Sequence, residues 1–151
     1  MITIRKPNDF HHHLREKELL QLTVKSCFDK FHYVVVMPNL KKPITTLKEA
    51  LEYRKTILSV DNRGDPLMTL YLSKNIPIQD LLEFKQYPEM IGIKYYPKSA
   101  TTNSQQGVSE IEDVFNILKI MEDQGIPLLV HGEKIGCHID IFHREKIFLK
   151  N

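Results

Sequence analysis

The sequence lacks several features that would place the protein in a specialised class. No apolar run approaches the roughly 20 residues that cross a bilayer, and the first ten residues lack the apolar stretch of a signal peptide. The two cysteines, Cys27 and Cys137, lie far apart, which excludes a disulfide framework. The net charge is only +2, with both signs interspersed, so no nucleic-acid-binding patch is evident. These absences predict a reduced, cytoplasmic protein with no membrane or nucleic-acid partner.

The remaining composition is that of one globular domain. The 151 residues are 42% hydrophobic and 26% charged, without a low-complexity tract, which is enough for a single core. We therefore treat residues 1–151 as one unit with no separate second domain. The small excess of cations is compatible with a small anionic substrate.

Short apolar runs alternate with amphipathic stretches along the chain. Nearly continuous apolar runs are typical of strands that are buried on both faces of a parallel sheet. The predicted strands are 9–13, 33–39, 66–72, 90–96 and 126–132. The predicted helices are 16–31, a segment that begins at Thr46, 77–86, a segment capped by Ser109 that stops at Gly125, and a segment that starts near Asp140.

The alternation of strands and helices predicts an α/β fold with parallel strands and right-handed crossovers. Two architectures share this order, a doubly wound open sheet and a (β/α)₈ barrel. A barrel typically needs about 250 residues, and five βα units are present. The pattern therefore leaves open a complete five-stranded open sheet and the front part of a longer barrel.

Four of the five predicted strands carry polar side chains at their carboxyl ends, where parallel α/β folds bind ligands. These side chains belong to His11 and His13, Asn39, Lys94 and His131. An H-x-H pair on a strand directs both imidazoles to one face, and imidazole is a good Zn²⁺ ligand. In isolation, a strand lysine more often pairs with a carboxylate, and a strand histidine more often belongs to the core. Their convergence on one rim favours a metal site.

Lys94 could be chemically modified, whereas four other histidines have no assigned role. Burial and nearby cations lower the pKa of a lysine ammonium group. The free amine of Lys94 can then add CO₂ to give a carbamate, an anionic ligand able to bridge two metals.

His12 is expected to face the helices on the opposite side of the strand, without a catalytic task. His32, His138 and His143 are predicted at the surface or on helices.

Four motifs together resemble the dihydroorotases of the bacterial single-function type, in the amidohydrolase superfamily. They are DFHHHLR, VVVMPNLKKPITT, GIKYYPKSATTNSQQGV and GIPLLVHGE. They match the family pattern H-x-H-L-R, M-P-N, K-x-Y-P followed by A-T-T-N-S, and a strand that ends V-H-G-E. The resemblance covers essentially the whole chain. It implies the N-terminal part of a (β/α)₈ TIM barrel, with about the first five βα units.

The resemblance implies a zinc-dependent enzyme of pyrimidine biosynthesis. The family catalyses reversible cyclisation of N-carbamoyl-L-aspartate to L-dihydroorotate, using two zinc ions at the carboxyl-end rim. His11 and His13 would bind the more buried zinc ion, carbamylated Lys94 would bridge the two, and His131 would bind the other. Zinc polarises an amide carbonyl and lowers the pKa of water, which suits the hydrolysis of a cyclic amide.

The same resemblance implies a site for the substrate's carboxylate. Arg15 and Asn39 would hold this group, because the planar fork of an arginine matches a planar anion. Thr101 and Thr102 would donate hydrogen bonds from a polar loop that closes over the substrate. A homodimer is left open as a further partner.

One part of the family site has no counterpart in the sequence. The family's general acid/base is an aspartate on the eighth strand, and the sixth strand supplies another histidine ligand. Both are expected beyond Asn151, so no catalytic residue is assigned in this chain. His12 also stands where leucine is usual, and His138 and His143 stand where aspartates are common.

Three hypotheses for the function are therefore compatible with the sequence. The first is a dihydroorotase, and the second is a non-catalytic fragment that keeps a partial metal site or pairs with a full-length subunit. The third is another cyclic-amide hydrolase, such as a dihydropyrimidinase. Arg15, Asn39 and the A-T-T-N-S loop favour a dihydroorotate-like anion over this third substrate class. An unrelated five-stranded binding module would leave the four motifs unexplained.

Overall fold

Five parallel strands form one sheet in which the order along the chain is also the order in space. The computed structural model describes residues 2–150. Its strands are β1 (Asp9–His12), β2 (Tyr33–Val36), β3 (Asp65–Tyr71), β4 (Met90–Tyr95) and β5 (Leu128–Val130), in the order β1-β2-β3-β4-β5. A doubly wound sheet reverses its strand order at a switch point, and this sheet does not. The sheet is a curled half-barrel, which confirms the partial (β/α)₈ barrel and excludes the open-sheet alternative.

The helices alternate with the strands, as the hydrophobic pattern predicts. They are α1 (Lys17–Lys30), α2 (Leu47–Val60), α3 (Ile78–Glu83), α4 (Phe115–Gln124) and α5 (Arg144–Phe148). The predicted cap of α2 is confirmed, because the side chain of Thr46 accepts a hydrogen bond from the backbone N–H of Glu49. The predicted end of α4 is also confirmed. Gly125 adopts the left-handed conformation (φ 61°) that commonly ends a helix.

The predicted start of the fourth helix is wrong. Ser109 does not cap it; a short 3₁₀ turn, Ile111–Val114, comes first, and the residue before that turn is Glu110. The chain is still extended at Glu110 (φ −123°, ψ 136°), two residues beyond an isolated parallel bridge between Val108 and Pro97, so the first helical turn begins at Ile111.

Alternate strand residues face two different environments. One face of the sheet packs against the helices, and its residues Val34, Val36, Leu70 and Ile93 are fully buried in the main hydrophobic cluster. Their neighbours in sequence lie on the concave face of the half-barrel, in accordance with the period of two in a strand. No helix within residues 2–150 is both long and apolar enough to span a membrane.

Candidate metal centre

The polar residues predicted from the strand ends lie along one rim of the sheet. His11 is on β1, Lys94 is on β4, and His131 follows β5 directly. Lys94 is in register with Tyr71 on β3 and with Leu129 on β5. The structure thus places the amine on the same rim as the imidazoles.

His11 and His13 face each other, as the H-x-H alternation predicts. Their Nε2 atoms lie 3.2 Å apart, and their ring centroids lie 5.1 Å apart. Two imidazole nitrogens turned toward the same point are suited to share a cation, because each presents a lone pair when deprotonated.

Asp9 contacts His11 and His12 and was not identified from the sequence. One carboxylate oxygen of Asp9 accepts a hydrogen bond from the backbone N–H of His11 at 2.9 Å. The other oxygen lies 2.8 Å from Nδ1 of His12. His12 therefore has a polar partner, so its ring is not an unsatisfied group against the shell. An Asp that bonds a backbone N–H two residues later is a common local pattern, so the spacing D-x-H could have indicated it.

Lys94 is buried on the concave face without a counter-ion. Its side chain is only 3% exposed, and among residues 2–150 its ammonium group has no hydrogen bond or ion pair. Its nearest described partner is the ring of Tyr96, whose centroid lies 5.4 Å from Nζ. Burial lowers the pKa of this amine from its ordinary value.

His131 also has an unsatisfied nitrogen. Its Nε2 atom is buried and accepts or donates no hydrogen bond, although a carboxylate oxygen of Glu133 lies 3.6 Å away. The other oxygen of Glu133 lies 3.8 Å from the guanidinium of Arg144. A buried imidazole nitrogen without a partner is costly, so this atom is a strong candidate for a ligand contact.

The histidines of the rim all have lowered pKa values. Burial lowers the pKa of His11, and the positive charge of Lys94 lowers it further. Burial lowers the pKa of His13 to about 4, with the charge of Arg15 as the next cause. The pKa of His131 is lowered by burial and by Lys94, against the opposing effect of Glu133.

The donor set fits a metal centre when the lysine is included. Within residues 2–150, no three His, Cys, Asp or Glu side chains alone converge as a metal cluster. The candidate donors on this rim are the His11–His13 pair, the buried amine of Lys94 and the Nε2 atom of His131, which has no hydrogen bond. The positive charge of Lys94 lowers the pKa of both His11 and His131. Lys94 therefore lies near the histidine pair of β1 as well as near the histidine that follows β5.

Arg15 and Asn39 form a polar patch beside the histidines. Arg15 is half-buried, and in the described part of the chain its guanidinium has no carboxylate partner. Asn39 is 2% exposed; its Oδ1 atom makes no hydrogen bond of good geometry, but its side chain lies close enough to the imidazole of His13 to raise the pKa of that ring. The unpaired guanidinium provides both positive charge and hydrogen-bond donors for a small anion, and the amide Nδ2 of Asn39 is a further donor.

Thr101 and Thr102 lie in a loop, as predicted, and this loop is attached to Asn39. The Nδ2 group of Asn39 donates to the carbonyl of Thr102 at 2.9 Å, and Nδ2 of Asn103 donates to the carbonyl of Asn39 at 3.0 Å. Neither threonine hydroxyl has a hydrogen bond to any residue in 2–150. The role of Asn103 was not foreseen, because its partner is 64 residues away in the sequence.

Two tyrosines of the concave face were also missed. The rings of Tyr71 and Tyr96 stack with centroids 5.0 Å apart, and both hydroxyl groups are buried without a hydrogen-bond partner. Because side chains two positions apart on a strand share a face, Tyr96 could have been placed on the same face as Lys94. The hydroxyls add polar groups to the interior beside the metal-binding candidates.

The chain is similar to curated dihydroorotases along almost its whole length. The dihydroorotase of Idiomarina loihiensis is 43% identical over 152 residues, covering 99% of this chain and 44% of the relative. Those of Hahella chejuensis and Shewanella frigidimarina are 43% and 44% identical over 151 residues, each covering 98% of this chain and 44% of the relative. The chain thus spans less than half the length of these relatives. No protein-family model matches the sequence.

Solved structures give the same result. The dihydroorotase of Saccharomyces cerevisiae, in complex with 5-fluoroorotic acid, superposes with a TM-score of 0.87 at 33% identity, over 95% of this chain and 42% of that one. The dihydroorotase of Campylobacter jejuni superposes with a TM-score of 0.84 at 39% identity, over 96% and 42% of the two chains. The resemblance indicated by the four motifs is confirmed.

Proposed function

We infer that this chain, whose relatives in sequence and in structure are dihydroorotases, contributes the N-terminal part of a zinc-dependent dihydroorotase site. The reaction proposed is the reversible cyclisation of N-carbamoyl-L-aspartate to L-dihydroorotate, in pyrimidine biosynthesis. The observation that carries this proposal is the assembly, on one rim, of a facing histidine pair, an unpartnered buried lysine and an orphaned imidazole nitrogen.

The metal-binding role is assigned to four residues. His11 and His13 would hold one zinc ion, His131 would hold a second, and carbamylated Lys94 would contribute to both. Carbamylation fits the surroundings of Lys94, because its amine is buried, has no counter-ion in the described residues and has a lowered pKa. The zinc ions would supply Lewis acidity, which polarises an amide carbonyl and lowers the pKa of a water molecule.

The substrate would be held by the polar patch beside this centre. The guanidinium of Arg15 would pair with the substrate's carboxylate, and the side-chain amide N–H of Asn39 would help to hold the same group. Thr101 and Thr102, with hydroxyls that are unbonded in the described structure, would donate to the substrate from the loop. Because Asn39 already holds the carbonyl of Thr102, substrate contact and loop position are linked through one side chain.

No residue at this rim is assigned as the general acid/base that the ring nitrogen requires. A second candidate function follows from this, namely a non-catalytic fragment with a partial metal site. The observation that favours it is the state of β1 and β5, whose outer edges pair with no strand in residues 2–150. The two candidates share the metal ligands and differ in turnover.

Zinc content measured by mass spectrometry tests the metal centre without relying on activity. We expect the purified chain to retain zinc after exhaustive dialysis, and His13→Ala to lose it, because the Nε2 pair would be broken. The matched control is His32→Ala, which removes an exposed histidine that precedes β2, at the opposite end of the sheet, and should leave zinc unchanged.

Turnover separates the two candidate functions. Cyclisation of N-carbamoyl-L-aspartate by the zinc-loaded chain supports the dihydroorotase, whereas zinc binding without turnover supports the partial metal site. If zinc content is the same in His13→Ala and in the wild type, the ligand assignment is wrong in both cases.

A further inference from the structure

The segment that carries Arg15 has an unusual backbone. Arg15 lies in the left-handed region with φ 63°, and Lys17 does so with φ 54°. Residues other than glycine rarely adopt this conformation, and it persists only where surrounding structure fixes it. The conformation of Arg15 therefore needs a cause outside its own dipeptide.

A hydroxyl group from a distant helix contacts the backbone of Arg15. Tyr53 lies on α2, 38 residues further along the chain, and its hydroxyl donates a 2.5 Å hydrogen bond to the carbonyl of Arg15. The other buried residues of this helix face are Leu47, Ala50 and Ile57, so the hydroxyl is a polar group on a face that otherwise packs by apolar contact. Tyr53 itself is only 9% exposed.

The residues on either side of Arg15 are held independently. The hydroxyl of Thr23 donates to the carbonyl of Leu14, and a carboxylate oxygen of Glu16 accepts from the backbone N–H of Lys41 at 3.0 Å. These contacts hold the ends of the turn, whereas within residues 2–150 only Tyr53 forms a hydrogen bond with the backbone of Arg15 itself. Removal of this hydroxyl should therefore free Arg15 without releasing the whole segment.

The backbone of Arg15 determines where its guanidinium lies. Arg15 lies three residues beyond the end of β1, on the carboxyl-end side of the sheet, and its charge acts on His13 and Tyr96 of the rim as well as on Tyr53. A return of φ to the usual negative region would rotate the peptide about N–Cα by roughly 120° and turn the side chain out of its present direction.

We propose that Tyr53 is a positioning residue for anion recognition, because its hydroxyl locks Arg15 in the left-handed conformation that directs the guanidinium to the substrate's carboxylate. The nature of the anion rests on the function proposed above. The effect of the Tyr53 hydroxyl on the backbone of Arg15 does not depend on that function.

The test is binding of L-dihydroorotate to the zinc-loaded chain, measured by calorimetry, for Tyr53→Phe. The ring is kept and one hydrogen bond is lost, so we expect affinity to fall roughly two- to tenfold. The matched control is Tyr87→Phe, which removes the hydroxyl of a half-buried tyrosine that bonds no described residue and should leave affinity unchanged.

An Arg15→Ala background separates positioning from general stability. Alanine at φ 63° has the same backbone restriction as arginine but carries no guanidinium. If Tyr53 acts through Arg15, Tyr53→Phe should cause no further loss of affinity in this background. An equal loss in both backgrounds overturns the proposal.

Amide hydrogen exchange of residues 14–17, measured without ligand, distinguishes failure of this inference from failure of the proposed function. Faster exchange in Tyr53→Phe than in Tyr87→Phe supports the lock, even if the wild type binds no L-dihydroorotate. Unchanged exchange at Arg15 overturns it, even if the wild type binds well.

Discussion

β4 and β5 are neighbours in the sheet, yet only β4 is covered on its outer face. Ile93 on β4 is fully buried, whereas its partner in register on β5, Leu128, is 39% exposed, and Val130 is 45% exposed. After β5, neither the 3₁₀ turn Ile141–His143 nor α5 contains a buried residue. The metal centre spans this boundary, because Lys94 lies on the covered side and His131 on the uncovered side.

The difference shows that position in the sheet and cover by helices contribute separately to stability. β5 has the backbone pairing of a barrel strand, including the hydrogen bond from the N–H of His131 to the carbonyl of Tyr95 at 3.0 Å. It lacks the apolar burial that supplies most of the free energy of folding. We therefore expect the ligands from β1 and β4 to be held more firmly than His131.

The largest effect is expected for a matched pair of leucine-to-alanine substitutions, one on a covered strand and one on β5. Leu70→Ala on β3 removes a fully buried side chain and should lower the free energy of unfolding by about 2–5 kcal/mol. Leu128→Ala on β5 removes a side chain that is 39% exposed, and we expect less than half of that loss. Urea unfolding of both variants measures the difference. Equal losses would contradict the distinction between strands covered by helices, such as β3 and β4, and the uncovered β5.

A smaller effect is expected where β4 meets β5. A Cβ atom at Gly92 would lie 2.3 Å from a methyl carbon of Leu129 and 2.9 Å from the carbonyl oxygen of Pro127. Gly92→Ala should therefore displace β5 and destabilise the protein by about 1–3 kcal/mol.

Hydrogen exchange shows whether the damage from Gly92→Ala is local. We expect faster exchange in β5 and unchanged exchange in β2. Gly132→Ala is the control for stability, because its nearest neighbours, carbon atoms of Phe148, lie 3.4 and 3.6 Å away, at ordinary contact distance. Equal stability of Gly92→Ala and wild type would show that β5 adapts without cost.

The smallest expected effect is the contribution of Glu49, which lies in the helix-covered region, to the pH dependence of the free energy of unfolding. Burial raises the pKa of Glu49, but hydrogen bonds from the ammonium of Lys42 and the backbone N–H of Thr45 outweigh it and lower the pKa overall. A carboxyl group with a lowered folded-state pKa stabilises the protein above its unfolded pKa of about 4.3, and this contribution is lost as pH falls through the folded value.

Thermal unfolding between pH 7 and pH 3 measures this contribution. The wild type should lose more stability than Glu49→Gln over this range, by less than about 1 kcal/mol because the group is partly solvent-screened. Glu145→Gln, on the exposed α5, is the control and should follow the wild type. Parallel pH profiles for the wild type and Glu49→Gln would refute the role of Glu49.

The sequence predicted the parts of the site that depend on local periodicity. The H-x-H spacing predicted the facing pair of His11 and His13, and the end of the fifth apolar run predicted the place of His131. It did not predict Tyr53, Asn103 or Tyr71, whose contacts involve residues far away in sequence. The cap at Ser109 was also wrong, because the chain stays extended through Glu110, two residues beyond the bridge between Pro97 and Val108.

The amino-acid sequence alone determined the order of the strands and helices, because each is fixed by hydrophobic periodicity within about ten to fifteen residues. It also determined which side chains reach the carboxyl-end rim, because a strand alternates its faces at every residue. Only the tertiary structure decided the left-handed conformation of Arg15, the attachment of the loop to Asn39 and the exposure of β5. These depend on hydrogen bonds and packing between residues tens of positions apart, which no local pattern encodes.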